Sequence, residues 1–177
     1  MSETALLLSA TGQDRPGIVD RLTGFLYEAG CNLEDSRMAV LGGEFAIILL
    51  VTGPEDALDR VRAGLEGVGA DLALGIQAKT TRVGRAASAP SVLYRIKAVA
   101  MDHPGIVHKV SHLLAGRGLN VVRLDTHLSQ APVSGTPIFA MEVDAAVPAG
   151  TAIPELRRAL DDLAAAENID LDFGIKT

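Results

Sequence analysis

The chain has 177 residues, 48% of them apolar but only 3% aromatic and none tryptophan, so Leu, Val, Ile and Ala must fill its core. A formal net charge of -6 opposes the phosphates of a duplex, and so few rings leave little stacking platform for single strands, which argues against direct nucleic-acid binding. The single cysteine, Cys31, excludes an intramolecular disulfide and a cysteine-based zinc cluster. With no secretory start and no bilayer-length apolar run, a cytoplasmic location without membrane contact is expected.

The first expected strand is Ala5–Ala10, followed by the turn Gly12-Gln-Asp-Arg-Pro-Gly17. Apolar residues then recur at helical spacing: Ile18, Leu22, Phe25, Leu26, Ala29. A hairpin follows, Leu33–Val40 turning at Gly42-Gly43 into Phe45–Val51. A second helical stripe, Leu58, Val61, Leu65, Val68, leads to the alternation Leu72, Leu74, Ile76, expected as a closing strand. The segment TTRVGRAASAPS is small, polar and Pro-containing, and is expected as a linker over 81–91.

The same order then repeats. Asp14-Arg-Pro-Gly-Ile-Val19 returns 88 residues later as Asp102-His-Pro-Gly-Ile-Val107, and at that shift Gly30 meets Gly118 and Asn32 meets Asn120. The second half shows a strand Val92–Ala100, the stripe Ile106, Val110, Leu113, Leu114, and a hairpin of Val121–Leu128 with Ile138–Val143. Its connection is about six residues longer. A stripe Ile153, Leu156, Leu160, Leu163 and an alternation Ile169, Leu171, Phe173, Ile175 close it. The order β-α-β-β-α-β, twice, with right-handed crossovers, predicts α+β: two tandem ferredoxin-like units, each a four-stranded antiparallel sheet with two helices on one face. The expected boundaries are 1–80 and 92–177.

The strand-to-helix turn is where the chemistry concentrates. A free amino acid needs acceptors for its ammonium and donors for its carboxylate. A helix N-terminus supplies unpaired N–H groups, Asp14 or Asp102 an acceptor, and Gly17 or Gly105 room for close approach. Asn32 and Asn120, expected beside the turn, would add a donor and an acceptor. Equally, Asp14 and Asp102 suit plain N-capping, Pro suits a first helical turn, and Gly118-Leu-Asn120 suits a helix exit. If each Gly serves ligand approach and has negative φ, Gly17→Ala and Gly105→Ala should block binding without loss of stability.

Other constellations carry less. His108 and His112 lie at i, i+4, with His103 near the helix start and His127 on the next strand, but without a His-Glu-x-x-His motif they suit a solvated helix face. Cys31 is placed near the first turn as a small hydrophobe. No serine has a Gly-x-Ser-x-Gly context and no phosphate-cradling loop appears. The expectation is a non-enzyme without metal or cofactor.

A βαββαβ unit with Asp-Arg-Pro-Gly-Ile-Val at its first helix and Gly-x-Asn-Leu before its second strand resembles the ACT domain, and the resemblance covers nearly the whole chain as two units. The tandem arrangement is similar to that of the repressors of the glycine cleavage system. The motif also resembles the regulatory segment of formyltetrahydrofolate deformylases. The resemblance implies a small amino acid, glycine- or serine-like, bound at an interface of units by Asp14, Arg15, Gly17, Ile18 and Asn32, and by Asp102, His103, Gly105, Ile106 and Asn120. It further implies a protein partner, a DNA-binding activator; a homodimer is expected because two lean cores are each marginal alone. His103 in place of Arg15 departs from the first unit. A constitutive interaction module without ligand, paired through its sheet edges, is the alternative.

Overall fold

The computed structural model describes residues 3–83 and 91–176. The chain divides into two compact units, Met1–Ala86 and Ala87–Thr177. The first is built of β1 (Glu3–Gln13), α1 (Ile18–Glu28), β2 (Asn32–Leu41), β3 (Glu44–Thr52), α2 (Glu55–Leu72) and β4 (Gly75–Val83). The second repeats the order as β5 (Ser91–Met101), α3 (Ile106–Gly116), β6 (Asn120–Gln130), β7 (Pro137–Pro148), α4 (Ile153–Glu167) and β8 (Asp170–Ile175). Both sheets are antiparallel, ordered β2-β3-β1-β4 and β6-β7-β5-β8. The expected fold class is observed in each unit.

Strand alternation and helical stripes meet in each core. Leu6, Leu8 and Ala10 of β1 and Phe45, Ile47, Leu49 and Val51 of β3 are buried under Ile18, Leu22 and Leu26 of α1 and Leu58 and Val61 of α2. The second core holds Ile96, Ala98, Met141 and Val143 under Ile106, Val110, Leu114, Leu156 and Leu160. Each buried Leu, Ile or Val adds roughly 1.5–3 kcal/mol of transfer free energy, so the large aliphatic side chains supply what the scarce aromatics do not. The first unit's sheet keeps Leu7 and Ile48, which point away from the core, exposed.

The helix exits explain two repeated glycines. Gly30 and Gly118 have φ of 81° and 70°. The amides after them, of Cys31 and Leu119, donate to the carbonyls of Leu26 and Leu114 at 3.0 Å each. This is a Schellman closure, in which a left-handed residue satisfies the last carbonyls of the helix. The helix-exit role of Gly-x-Asn-Leu is therefore what the geometry shows.

The structure corrects the first unit's closing strand. Leu72 ends α2 and Leu74 lies in the connection, both buried, so β4 begins later, at Gly75. Period two there reflects residues buried from a helix end and a connection, not one strand face. β4 also extends to Val83 and β5 starts at Ser91, so 81–83 and Ser91 of the expected linker are strand; 84–90 lie outside the described residues. Of the six extra residues in the second hairpin, four widen the turn, Ala131–Thr136 against Gly42–Gly43, and two lengthen the strands.

Ala73 closes α2 in the left-handed conformation, φ 52° and ψ 42°, where Asn168 stands after α4 at φ 53°. A side chain with Cβ is strained there unless, like Asn, it tolerates the region. Ala73→Gly is therefore expected to stabilise the protein by about 0.5–1 kcal/mol, the released strain exceeding the added freedom of the unfolded chain. A urea midpoint that rises at constant slope is the measurement; a fall would show that the Ala73 methyl packs more than it strains.

Candidate functional site

Each turn leaves the end of a central strand and enters a helix. Gln13 pairs with Glu44 at the end of β1, and the Asp14 amide donates to the Gly43 carbonyl at 2.9 Å. In the second unit the Asp102 amide donates to the Pro137 carbonyl at 3.0 Å. Both turns are thus tied to the adjacent hairpin. Close packing explains Gly12, where a Cβ would fall 2.7 Å from the Ala73 carbonyl; Ala100 occupies the matching place in the second unit.

The N-caps are glycines, not the aspartates. Gly17 (φ 92°, ψ −7°) and Gly105 (φ 100°, ψ −4°) precede α1 and α3, and no side chain hydrogen-bonds either helix start. Asp14 and Asp102 therefore do not cap, and Pro16 and Pro104 precede the helices. A Cβ at Gly17 would meet nothing within 4 Å, and one at Gly105 would meet Lys109 Cε at 3.8 Å. Glycine is required there by backbone conformation while the space over it is open. The premise of negative φ is corrected: Ala at either position is strained by roughly 1–2 kcal/mol.

Asp14, Gly17 and Ile18, and likewise Asp102, His103, Gly105 and Ile106, follow one another through their turns. Ile18 and Ile106 are 2% exposed and anchor the helix starts in the cores. Arg15 is engaged elsewhere: its guanidinium donates to the Asp71 carbonyl at 3.0 Å, closing the C-terminal turn of α2. His103 has its Nδ1 3.3 Å from the Pro104 carbonyl oxygen.

Asn32 and Asn120 are not beside the turns, correcting the expectation. Asn32 pairs with Thr52, which pairs with Ala5; Asn120 pairs with Ala146, which pairs with Leu93. Ala5 and Leu93 lie near the starts of the strands whose far ends carry the turns, on the order of 25 Å along the strand at ~3.3 Å per residue. A helix must run back along the sheet before the second strand can begin, so motif residues on either side of it occupy opposite ends. Cys31 goes with Asn32 to that end, where its Sγ would lie 3.2 Å from a Cβ on Gly53. Burial, opposed by the Arg60 charge, raises its thiol pKa.

A cavity of about 400 Å³ opens between α1 and α2, with Phe25 among the glycines Gly24, Gly64 and Gly67 and with Asp20, Arg21 and Asp71 also lining it. Another, of about 470 Å³, lies at the second turn, lined by His103, Gly105, Ile106, Val107, His108 and Phe139. Phe139, Val107 and His108 were not expected there. A signal existed in the Phe-Ala dipeptide shared by Phe45–Val51 and Ile138–Val143: Phe45 is 1% exposed, while Phe139 is partly exposed. No acid stands in the first turn of α3, whereas Asp20 stands in that of α1. The dipole at the second turn is therefore not offset by an acid of its own helix. Among the described residues, no three or more His, Cys, Asp or Glu converge as metal ligands, and no helix is long and apolar enough to cross a membrane.

Family models of the ACT domain match residues 4–79 and 94–161. The glycine cleavage system transcriptional repressor of Escherichia coli (strain K12) is 29% identical over 162 residues, covering 92% of this chain and 85% of that protein. Phosphoserine phosphatase SerB2 of Mycobacterium tuberculosis is 26% identical over 98% of this chain but only 42% of its own length. A crystal structure of a protein from Galdieria sulphuraria superposes with a TM-score of 0.80 at 30% identity, covering 99% of this chain and all of that one. Two compact βαββαβ units, each matched by an ACT domain model, make this chain a regulatory member of the ACT domain family, related to the glycine cleavage system transcriptional repressor.

Proposed function

We propose that this protein is a non-enzymatic sensor of a small amino acid, glycine- or serine-like, whose binding alters its hold on a protein partner in transcriptional control of glycine cleavage. The observation that carries the ligand half is the cavity of about 470 Å³ over Gly105, at a helix start with unpaired N–H groups and no acid in its first turn. There the helix start takes the carboxylate and Asp102 the ammonium. Gly105 admits the ligand to the backbone, and His103 lines the wall. The first turn offers Asp14, Gly17 and Ile18 in the same order, but its Arg15 is committed to the Asp71 carbonyl. The second turn is therefore favoured.

The partner half rests on the 29% identity to the repressor and on the net charge of -6, which favours acting through a DNA-binding activator over binding DNA directly. The edge strands β2 and β6 carry exposed Met38, Val40, Val122 and Leu128 and suit a protein contact, including a homodimer. The same edges support a constitutive interaction module. The two functions separate on thermal unfolding with a panel of free amino acids. A sensor gains about 2.7 kcal/mol at a hundredfold excess of ligand over Kd, whereas a module without ligand gains nothing. An unmoved midpoint with every small amino acid would end the sensor proposal.

A further inference from the structure

We propose that His108 and His112, on the exposed face of α3, form a two-histidine site for a divalent transition cation such as Zn²⁺ or Ni²⁺. They are one helical turn apart, and their rings are neighbours with centroids 5.8 Å apart and planes tilted by 32°. Imidazole is a ligand for cations of this class. With a metal–nitrogen bond of ~2.1 Å and the ring centre ~1.1 Å behind the nitrogen, two imidazoles on one tetrahedral cation have centroids on the order of 5 Å apart. The two separations differ by less than an ångström, and both side chains are free to turn their nitrogens to a shared cation because neither is buried.

The surroundings leave both rings available to a cation. Among the described residues, neither ring is held by a hydrogen bond or an ion pair that a metal would have to break. The nearest cation in sequence, Lys109, is drawn off to Glu167 at 2.6 Å. No third protein ligand converges among the described residues, so two positions of a tetrahedral shell stay open. His108 also lines the cavity over Gly105, which puts an open position next to that space. The first helix shows that the pair is not a requirement of the fold, since the residues matching His108 and His112 there are Asp20 and Gly24.

The site does not depend on amino-acid sensing and is tested separately, by calorimetric titration of the full untagged chain with ZnCl₂. One equivalent is expected to bind, with affinity lowered tenfold or more in His108→Ala and again in His112→Ala. His103→Ala, His127→Ala and Cys31→Ser should bind as the native chain does. No heat of binding, undiminished native affinity in His108→Ala or in His112→Ala, or loss of binding in Cys31→Ser would each overturn the assignment. Both histidines are exposed, so their alanine variants keep the fold. A melting midpoint raised by Zn²⁺ in the native chain, and not in His112→Ala, is the second readout.

Discussion

Gly105→Asn is expected to reduce amino-acid affinity by tenfold or more while costing the fold about 1 kcal/mol or less. The residue stands at φ 100° before α3, in a conformation that L side chains adopt with strain. Asn tolerates that region better than any other residue with a Cβ, whereas Ala carries the strain without relief. The place a Cβ would take touches nothing closer than Lys109 Cε at 3.8 Å, so the new side chain projects into free space beside the cavity. Loss of binding in a stably folded Gly105→Asn would then report the ligand, not the fold. Gly105→Ala confuses the two, because it lowers stability as well. Asp102→Asn is the companion: Asp102 makes no cap bond, so the amide leaves the helix start intact while removing the charge that meets the ammonium. Calorimetry with glycine and serine on the three variants reads the outcome. Full affinity in both Gly105→Asn and Asp102→Asn would remove the second turn from the site.

Asp144→Asn is expected to destabilise the protein by on the order of 1–2 kcal/mol near pH 7 and by only a small fraction of that at pH 2. Asp144 is 1% exposed on the sheet face away from the helices. Arg95 donates to it from Nε at 2.8 Å and Nη2 at 3.1 Å, and Lys176 Nζ donates at 2.8 Å. The Arg95 hydrogen bonds, against the opposing effect of burial and with help from Lys176, lower its pKa from 3.8 to about 2. The unfolded carboxylate therefore takes its proton first as the solution is acidified. The stabilisation is fully present above about pH 4 and is lost as pH falls through about 2. Arg95 and Lys176 keep side-chain exposures of 28% and 32%, so solvent screening holds the gain below that of a fully buried pair. Urea midpoints of the native and Asn chains at pH 7, 4, 3 and 2 are the measurement. A difference constant over that range would show that Asp144 contributes packing and not charge.

The fold was legible because its signals are local. The stripe Ile18, Leu22, Leu26 and the alternation Phe45, Ile47, Leu49, Val51 each record which residues one element buries, and both came back as buried faces. Repetition of the motif after 88 residues then made one unit into two. The charge of -6 and the single cysteine bounded the chemistry without any geometry. The candidate turn was legible as a string, Asp-x-Pro-Gly, but its φ was not. A glycine that opens space and a glycine that bends the backbone read alike, and φ of 92° and 100° made these the second kind with open space as well.

What needed the tertiary structure were relations between residues far apart in the chain. Asn32 follows Gly17 by fifteen positions, yet α1 carries it back to the level of Ala5, away from the turn. Arg15 reads as a ligand contact until the end of α2 is seen to place the Asp71 carbonyl 3.0 Å from it. Arg95 and Asp144 are 49 residues apart, and strand register alone joins them; the matching pair in the first unit is Leu7 with Leu50. Periodicity reports which side of an element is buried, because burial acts on each residue separately. It does not carry register or crossover length, which are set when whole elements pack, and those decide which side chains meet.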